Sequence, residues 1–209
     1  MSVAILVVLI FNGPGRQAML PGFTYETHPL IPEHQKIIAE TRHWLETIVV
    51  GLNLCPFARG ELVSKRMQFT VSDAPSQEQL LMDLQLSLLA LADNAAIETT
   101  LLIHPNVLQD FDEYNQFLDI ADALLCDMEM EGVYQIASFH PDYQFADTAV
   151  GDARNYSNKS PYPMLHLLSE ESLEKAIATT PDSALIPEHN KALLNNMGVK
   201  KLKEILGKT

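Results

Sequence analysis

The chain has 209 residues, 47% of them hydrophobic and 20% charged, enough for one domain with a sizeable core and too few for two comfortable ones. Its 14 Lys and Arg against 27 Asp and Glu give a net charge of −13 and a pI near 4.8, a field that repels phosphate backbones. There is no basic stripe with interleaved aromatics, which argues against a nucleic-acid partner.

Val3 to Phe11 is an apolar run of nine residues, well short of the roughly 20 that a membrane span requires, so no membrane association is expected. It lacks the basic n-region and small-residue cleavage site of a secretory leader. It reads as a strand, as a poor leader-like segment or, the reading we favour, as translated sequence upstream of a start at Met19. Residues 1–30 are therefore expected to be an extension, and residues 31–209 a single α/β domain.

From Pro32 the periodicity becomes regular. Ile37, Thr41, Trp44 and Ile48 lie on one helical face, with Pro32 near the first turn and Gly51 as a stop. Met67 to Val71 alternates as a half-buried strand does. Ser76 and Gln79 form a capping box before Leu80, Leu84, Leu88 and Leu91 at helical spacing. Thr99 to Ile103 is a short continuous run, the pattern of a central parallel strand buried on both faces. Asp110 and Glu113 open a helix with an apolar stripe at Phe111, Tyr114, Leu118, Ala121 and Leu125, ended by Gly132. Val133 to Phe139 and Met164 to Leu168 read as strands, and helices follow from about Glu170 and from Pro187. The alternation predicts an α/β fold: a mostly parallel sheet of about four strands with flanking helices, in an order compatible with a thioredoxin-like layout.

The two cysteines, Cys55 and Cys126, form no CxxC and no zinc spacing, which fits a reducing, cytoplasmic setting. Cys126, on a helical pattern, reads as a small buried hydrophobe. Cys55, before Pro56, sits where a helix N-cap could lower its pKa. It is a candidate nucleophile or ligand, or else simply packed between helices.

Two strands end alike, at His104-Pro105 and at His140-Pro141. Ligands of open α/β sheets gather beyond the carboxyl ends of parallel strands. His104 and His140 there, with Asp142, and with His166 returning on the next strand, would suit acid–base work or a divalent metal held by His104, His140 and His166. The plain alternative is that each His caps a loop. The connection 141–163 is long and unpatterned, but aromatic and proline-rich, which is the mark of an ordered loop that forms a site. Arg154, Asn155, Asn158, Lys159 and Tyr162 would there receive a small anionic ligand. Alternatively, Arg154 and Lys159 pair with Asp147 and Asp152 and fasten the loop.

The strings Gly51-Leu-Asn-Leu-Cys-Pro-Phe-Ala58, Leu102-Ile-His-Pro105, Ala137-Ser-Phe-His-Pro-Asp-Tyr-Gln-Phe-Ala146 and Asn155-Tyr-Ser-Asn-Lys-Ser-Pro-Tyr-Pro-Met-Leu-His-Leu-Leu168 resemble a mainly bacterial family, domain of unknown function 1415. The resemblance runs from about Ile37 to the last helices and implies no activity. Lys159 stands where that family leads us to expect Arg, which weakens a bidentate anion contact there. The leading reading is a small-molecule enzyme with a His/Asp site at the strand edge. The alternative is a non-catalytic binding or adaptor protein with a structural loop 141–163.

Overall fold

The computed structural model describes residues 31–180 and 182–207. The apolar run Val3 to Phe11 and the expected start at Met19 lie outside the described residues. Helix α1 (Pro32–Trp44) begins on a proline, whose fixed φ suits the first helical position. Its buried stripe of Ile37, Thr41 and Trp44 runs on without a break into a π-helical turn, Leu45–Val50, that buries Leu45, Ile48 and Val49. At Gly51 an added Cβ would sit 2.4 Å from the Thr47 carbonyl oxygen, so close backbone approach demands glycine there. The Val49 carbonyl then accepts from the amides of Leu54 (2.9 Å) and Cys55 (3.4 Å), which leads the chain toward a short helix α2 (Ala58–Val63).

The remaining elements follow the expected order: β1 (Met67–Val71), α3 (Gln77–Asp93), β2 (Thr99–Ile103), α4 (Phe111–Asp127), β3 (Tyr134–Phe139), β4 (Met164–Ser169), α5 (Glu170–Thr179) and α6 (Ile186–Ile205). Both helices are N-capped, but the expected capping box is only half made, since the Gln79 side chain donates to Asp83 at 3.1 Å. The Ser76 hydroxyl accepts from the Gln79 amide at 3.4 Å, and Asp110 accepts from the amides of Asp112 and Glu113 at 2.9 and 3.1 Å. Helix α6 is broken at Gly198, which adopts φ 70°. Among the described residues, no helix is long and apolar enough to cross a membrane.

The sheet is mixed, which corrects the expectation of a mostly parallel one. Its order is β1-β2-β4-β3, and only β1 and β2 pair in parallel; β4 runs antiparallel to both β2 and β3. This order does not establish a thioredoxin-like layout. The long loop lets the chain turn back, so that β4 enters the sheet between two earlier strands. Every residue of β2 is buried, as a central strand requires. Alternation then divides the core. Leu101, Ile103 and Met164 face α1 and α6, while Leu102, Leu165 and Leu167 face α3 and α4.

At the loop end of the sheet, Tyr114 of α4 enters between two strands. Its hydroxyl donates to the Met164 carbonyl of β4 (2.9 Å) and accepts the Phe139 amide of β3 (3.0 Å). The ring is fully buried, so neither backbone group has water to fall back on. Exchanging Tyr114→Phe should cost about 2–3 kcal/mol of folding stability, because it strands a buried donor and acceptor. Urea unfolding of the two proteins measures this; a difference under about 0.5 kcal/mol would show that the bridge carries no weight.

Candidate functional site

His104 and His140 follow the ends of β2 and β3, which are not adjacent but flank β4, and both lie wholly buried on one face of the sheet. The Tyr114 ring is a shared neighbour, 5.9 Å from His104 and 5.1 Å from His140 between centroids. Their nitrogens, however, serve the backbone. His140 Nε2 donates to the Leu108 carbonyl at 3.1 Å, and its Nδ1 accepts the Asp142 amide at 3.0 Å. Both ring positions are spent, and no lone pair remains for a metal or a substrate proton. His104 Nδ1 donates to the Val107 carbonyl at 3.0 Å, leaving a buried Nε2 without a partner among the described residues. The Asp142 side chain is exposed and reaches His140 only through its main chain. The hydrogen bonds that these two rings make all run to loop main chain.

His166 corrects the three-imidazole expectation. In the middle of β4, between Leu101 and Ala137, it faces the opposite side of the sheet from His104 and His140. Strand alternation forces this: His166 shares a face with Met164, whereas residues 104 and 140 follow Ile103 and Phe139 onto the other. Among the described residues, no group of three or more His, Cys, Asp or Glu is placed to hold a metal ion.

The loop residues serve mainly to hold the loop. Asn155 is fully buried; its Oδ1 accepts from the Phe145 amide and the Thr148 hydroxyl, and its Nδ2 donates to the Ala149 carbonyl at 2.9 Å. Arg154 grips Asp152 through two nitrogens and Asp147 through a third. Asn158 donates to the Ser138 carbonyl at 3.1 Å. Lys159 pairs with neither aspartate; it donates to the Val150 carbonyl at 3.4 Å and sits 5.7 Å from the Tyr156 ring centre. Tyr162 donates to Glu40, and burial with that carboxylate pushes its hydroxyl up to about 12. The five residues proposed to receive an anion do not converge. Arg154 and Asn158 line a groove beside α6, Lys159 and Tyr162 a separate recess beside α1, and Asn155 the loop interior.

Cys55 is not an N-cap. The cap position of α2 falls to Phe57, and burial raises the thiol pKa against two opposing backbone amides, so the thiol form prevails. Cys126 is exposed rather than buried, beside Glu131 on the outer face of α4.

What the strand pattern did not announce is a half-enclosed cavity of about 230 Å³ on the α1 face of the sheet. Trp44, Val49, Phe57, Met67, Leu101, Phe139 and Leu173 give it apolar walls, and Cys55 and His166 open onto it. The polar chemistry at His166 is defined by Thr99. The threonine hydroxyl donates to the Leu167 carbonyl at 2.7 Å, so at 2.6 Å it must accept from His166 Nε2. That fixes the tautomer and leaves Nδ1 as an acceptor without a protein partner among the described residues. At one margin Glu98 binds Arg66 (2.9 Å) and accepts from Ser172 of α5. A histidine inside the apolar string Met164-Leu-His-Leu-Leu168 was the available signal, since a half-buried imidazole on an otherwise apolar strand needs an explanation.

A family model described as protein of unknown function (DUF1415) matches residues 36–204. The chain belongs to this family. No curated protein and no solved structure matches the chain. The match runs from within α1 to within α6 and includes the cavity walls and the loop, so the arrangement above is that of a DUF1415 domain.

Burial pushes the pKa of His104 down to about 4, with the Val107 bond opposing and His140 adding to it, and burial does the same to His166. Both rings are neutral at pH 7. When the chain unfolds they regain a value near 6.5 and take up protons that the folded state refuses. Stability is therefore full above about pH 7 and falls as the pH drops toward 4. From pH 7 to 5.5 each histidine should contribute a loss of about 1 kcal/mol, read from urea midpoints at the two pH values. His104→Gln should remove its own share of the dependence and leave those of His166 and of His140, whose pKa burial also lowers; a flat wild-type profile would contradict the neutral rings.

Proposed function

We propose that this protein binds a small, mostly apolar organic molecule carrying one hydrogen-bond donor, held in the cavity between the sheet, α1, α2 and α5. The observation that carries this is the pairing of an apolar lining with a single oriented acceptor, His166 Nδ1. Small-molecule sites commonly have this make-up, with apolar walls for affinity and a few fixed polar groups for orientation. A dry cavity of about 150 Å³ already admits benzene. At interior packing density, 230 Å³ suits a bicyclic aromatic or comparable ligand of about ten non-hydrogen atoms.

This reading favours the binding alternative over the His/Asp enzyme at the strand edge. His140 has no free nitrogen, Asp142 faces solvent, and the depressed pKa of His166 makes it a hydrogen-bond acceptor rather than an effective base at neutral pH. Access is through α5. That helix forms the outer wall, buries none of its own residues completely, and is held at Ser172 by the Glu98 contact.

The chain contains one tryptophan, Trp44, and it lines the cavity, so its fluorescence reports occupancy. Titration with 2-naphthol should give saturable quenching with a Kd of about 10–200 μM, as small ligands of modest efficiency do. Naphthalene, lacking the donor, should bind about fivefold to tenfold more weakly, and His166→Phe should abolish the difference. Ala137→Phe, or Ala176→Phe on the outer wall, should fill the space and end binding. Absent saturation in the wild type, or equal affinity in both filled variants, would defeat the proposal.

A further inference from the structure

A second recess, of about 620 Å³, lies between α1, the loop 141–163 and the last turn of α6. Three distant parts of the chain each bring one lysine to it: Lys36 from α1, Lys159 from the loop and Lys203 from α6. His43 joins them. Glu40 is the only carboxylate among the described lining residues, and it is engaged by the Tyr162 hydroxyl and lies 3.9 Å from Lys36.

Among the described residues Lys65, Lys200 and Arg59 also make no ion pair, but the recess gathers its lysines from three separate elements around one concave space. Lys175, Lys191 and Lys201 each face an acid three or four residues away on their own helix, at Glu171, Glu188 and Glu204. Lys159 touches only a carbonyl and a ring, and Lys203 makes no ion pair or side-chain hydrogen bond among the described residues. In a chain of net charge −13, uncompensated cations drawn together in one concave site are a focused positive field. The recess also has an organic surface, with Pro141 and Tyr156 in its wall. Trp44, 2% exposed, borders it as well, and its indole N–H has no acceptor among the described residues.

From these features we infer that the recess is a binding site for a small organic polyanion, a phosphate ester or a polycarboxylate. The ammonium groups would supply charge-assisted hydrogen bonds to its oxygens. Such a site is separate from the apolar cavity and stands or falls independently of it.

Calorimetric titration of the whole chain at low salt with pyrophosphate, and separately with citrate, tests this. At least one should bind with unit stoichiometry, and the one that binds names the class. The double variant Lys159→Gln/Lys203→Gln should weaken it by about tenfold or more, and added salt should weaken it further. Lys36→Gln should have a smaller effect, since that lysine already has Glu40 nearby. Lys175→Gln, on a distant helix, and the cavity-filling Ala137→Phe should leave it unchanged. Failure of both anions to bind, or equal weakening by Lys175→Gln, would overturn the inference. Loss of naphthol binding with retained anion binding would overturn the apolar site alone.

Discussion

The hydroxyl of Tyr114 stands between β3 and β4 and does the work of a missing rung in their ladder. Much of the loop end depends on it. The two strands separate there to begin and end the excursion from His140 to Pro163, and a separating pair leaves main-chain donors and acceptors that burial does not forgive. His104 and His140 complete the closure from either side. The main chain of His104 donates to the Pro163 carbonyl, and that of His140 donates to the Asn158 carbonyl and accepts from Ser160. Their rings meanwhile bind the carbonyls of Val107 and Leu108. The histidines are thus capping residues that can reach two backbone segments at once, a role for which a neutral imidazole with one donor and one acceptor is well suited.

Anchoring of that kind explains why so long a loop is ordered without regular structure. Asn155 uses its whole amide to hold a closed turn, Arg154 clamps Asp147 and Asp152, and the prolines at 161 and 163 limit what the returning chain can do. Exposed ion pairs alone would contribute little. A fully buried amide with each partner satisfied is different, because its removal leaves several main-chain groups unpaired.

Much of the architecture was legible in the residues. The helical stripe of Leu80, Leu84, Leu88 and Leu91, the caps at Ser76 and Asp110, and the continuous run Thr99 to Ile103 each follow from local periodicity and chain chemistry, and each appears where expected. Strand direction was not legible. The string Met164-Leu-His-Leu-Leu168 has the same hydropathy read either way, and a long loop permits either sense. The candidate site suffered from that same gap. His104 and His140 end strands that run the same way, but β4 lies between those strands, and local pattern could not show that. His166 could be sided only once the register of β4 was known, and that register turned it toward Trp44 and Thr99. Cys126 failed for a smaller reason: it adjoins Leu125 in the chain, but about 100° around the helix from it lies solvent.

The cavity raises a question of energy that bears on its meaning. Apolar space left unfilled in a core costs about 24 cal/mol per Å³, so 230 Å³ represents up to about 5 kcal/mol of foregone packing. That is comparable with the whole stability of an ordinary domain. Leucine at position 166 would recover part of it and would also spare the desolvation that depresses the histidine. The chain instead keeps an imidazole there, oriented through Thr99 with one acceptor free. A protein that holds open an apolar space and sets a single polar atom in its wall is spending stability on something other than folding, and a ligand that fills the space returns that stability through mass action.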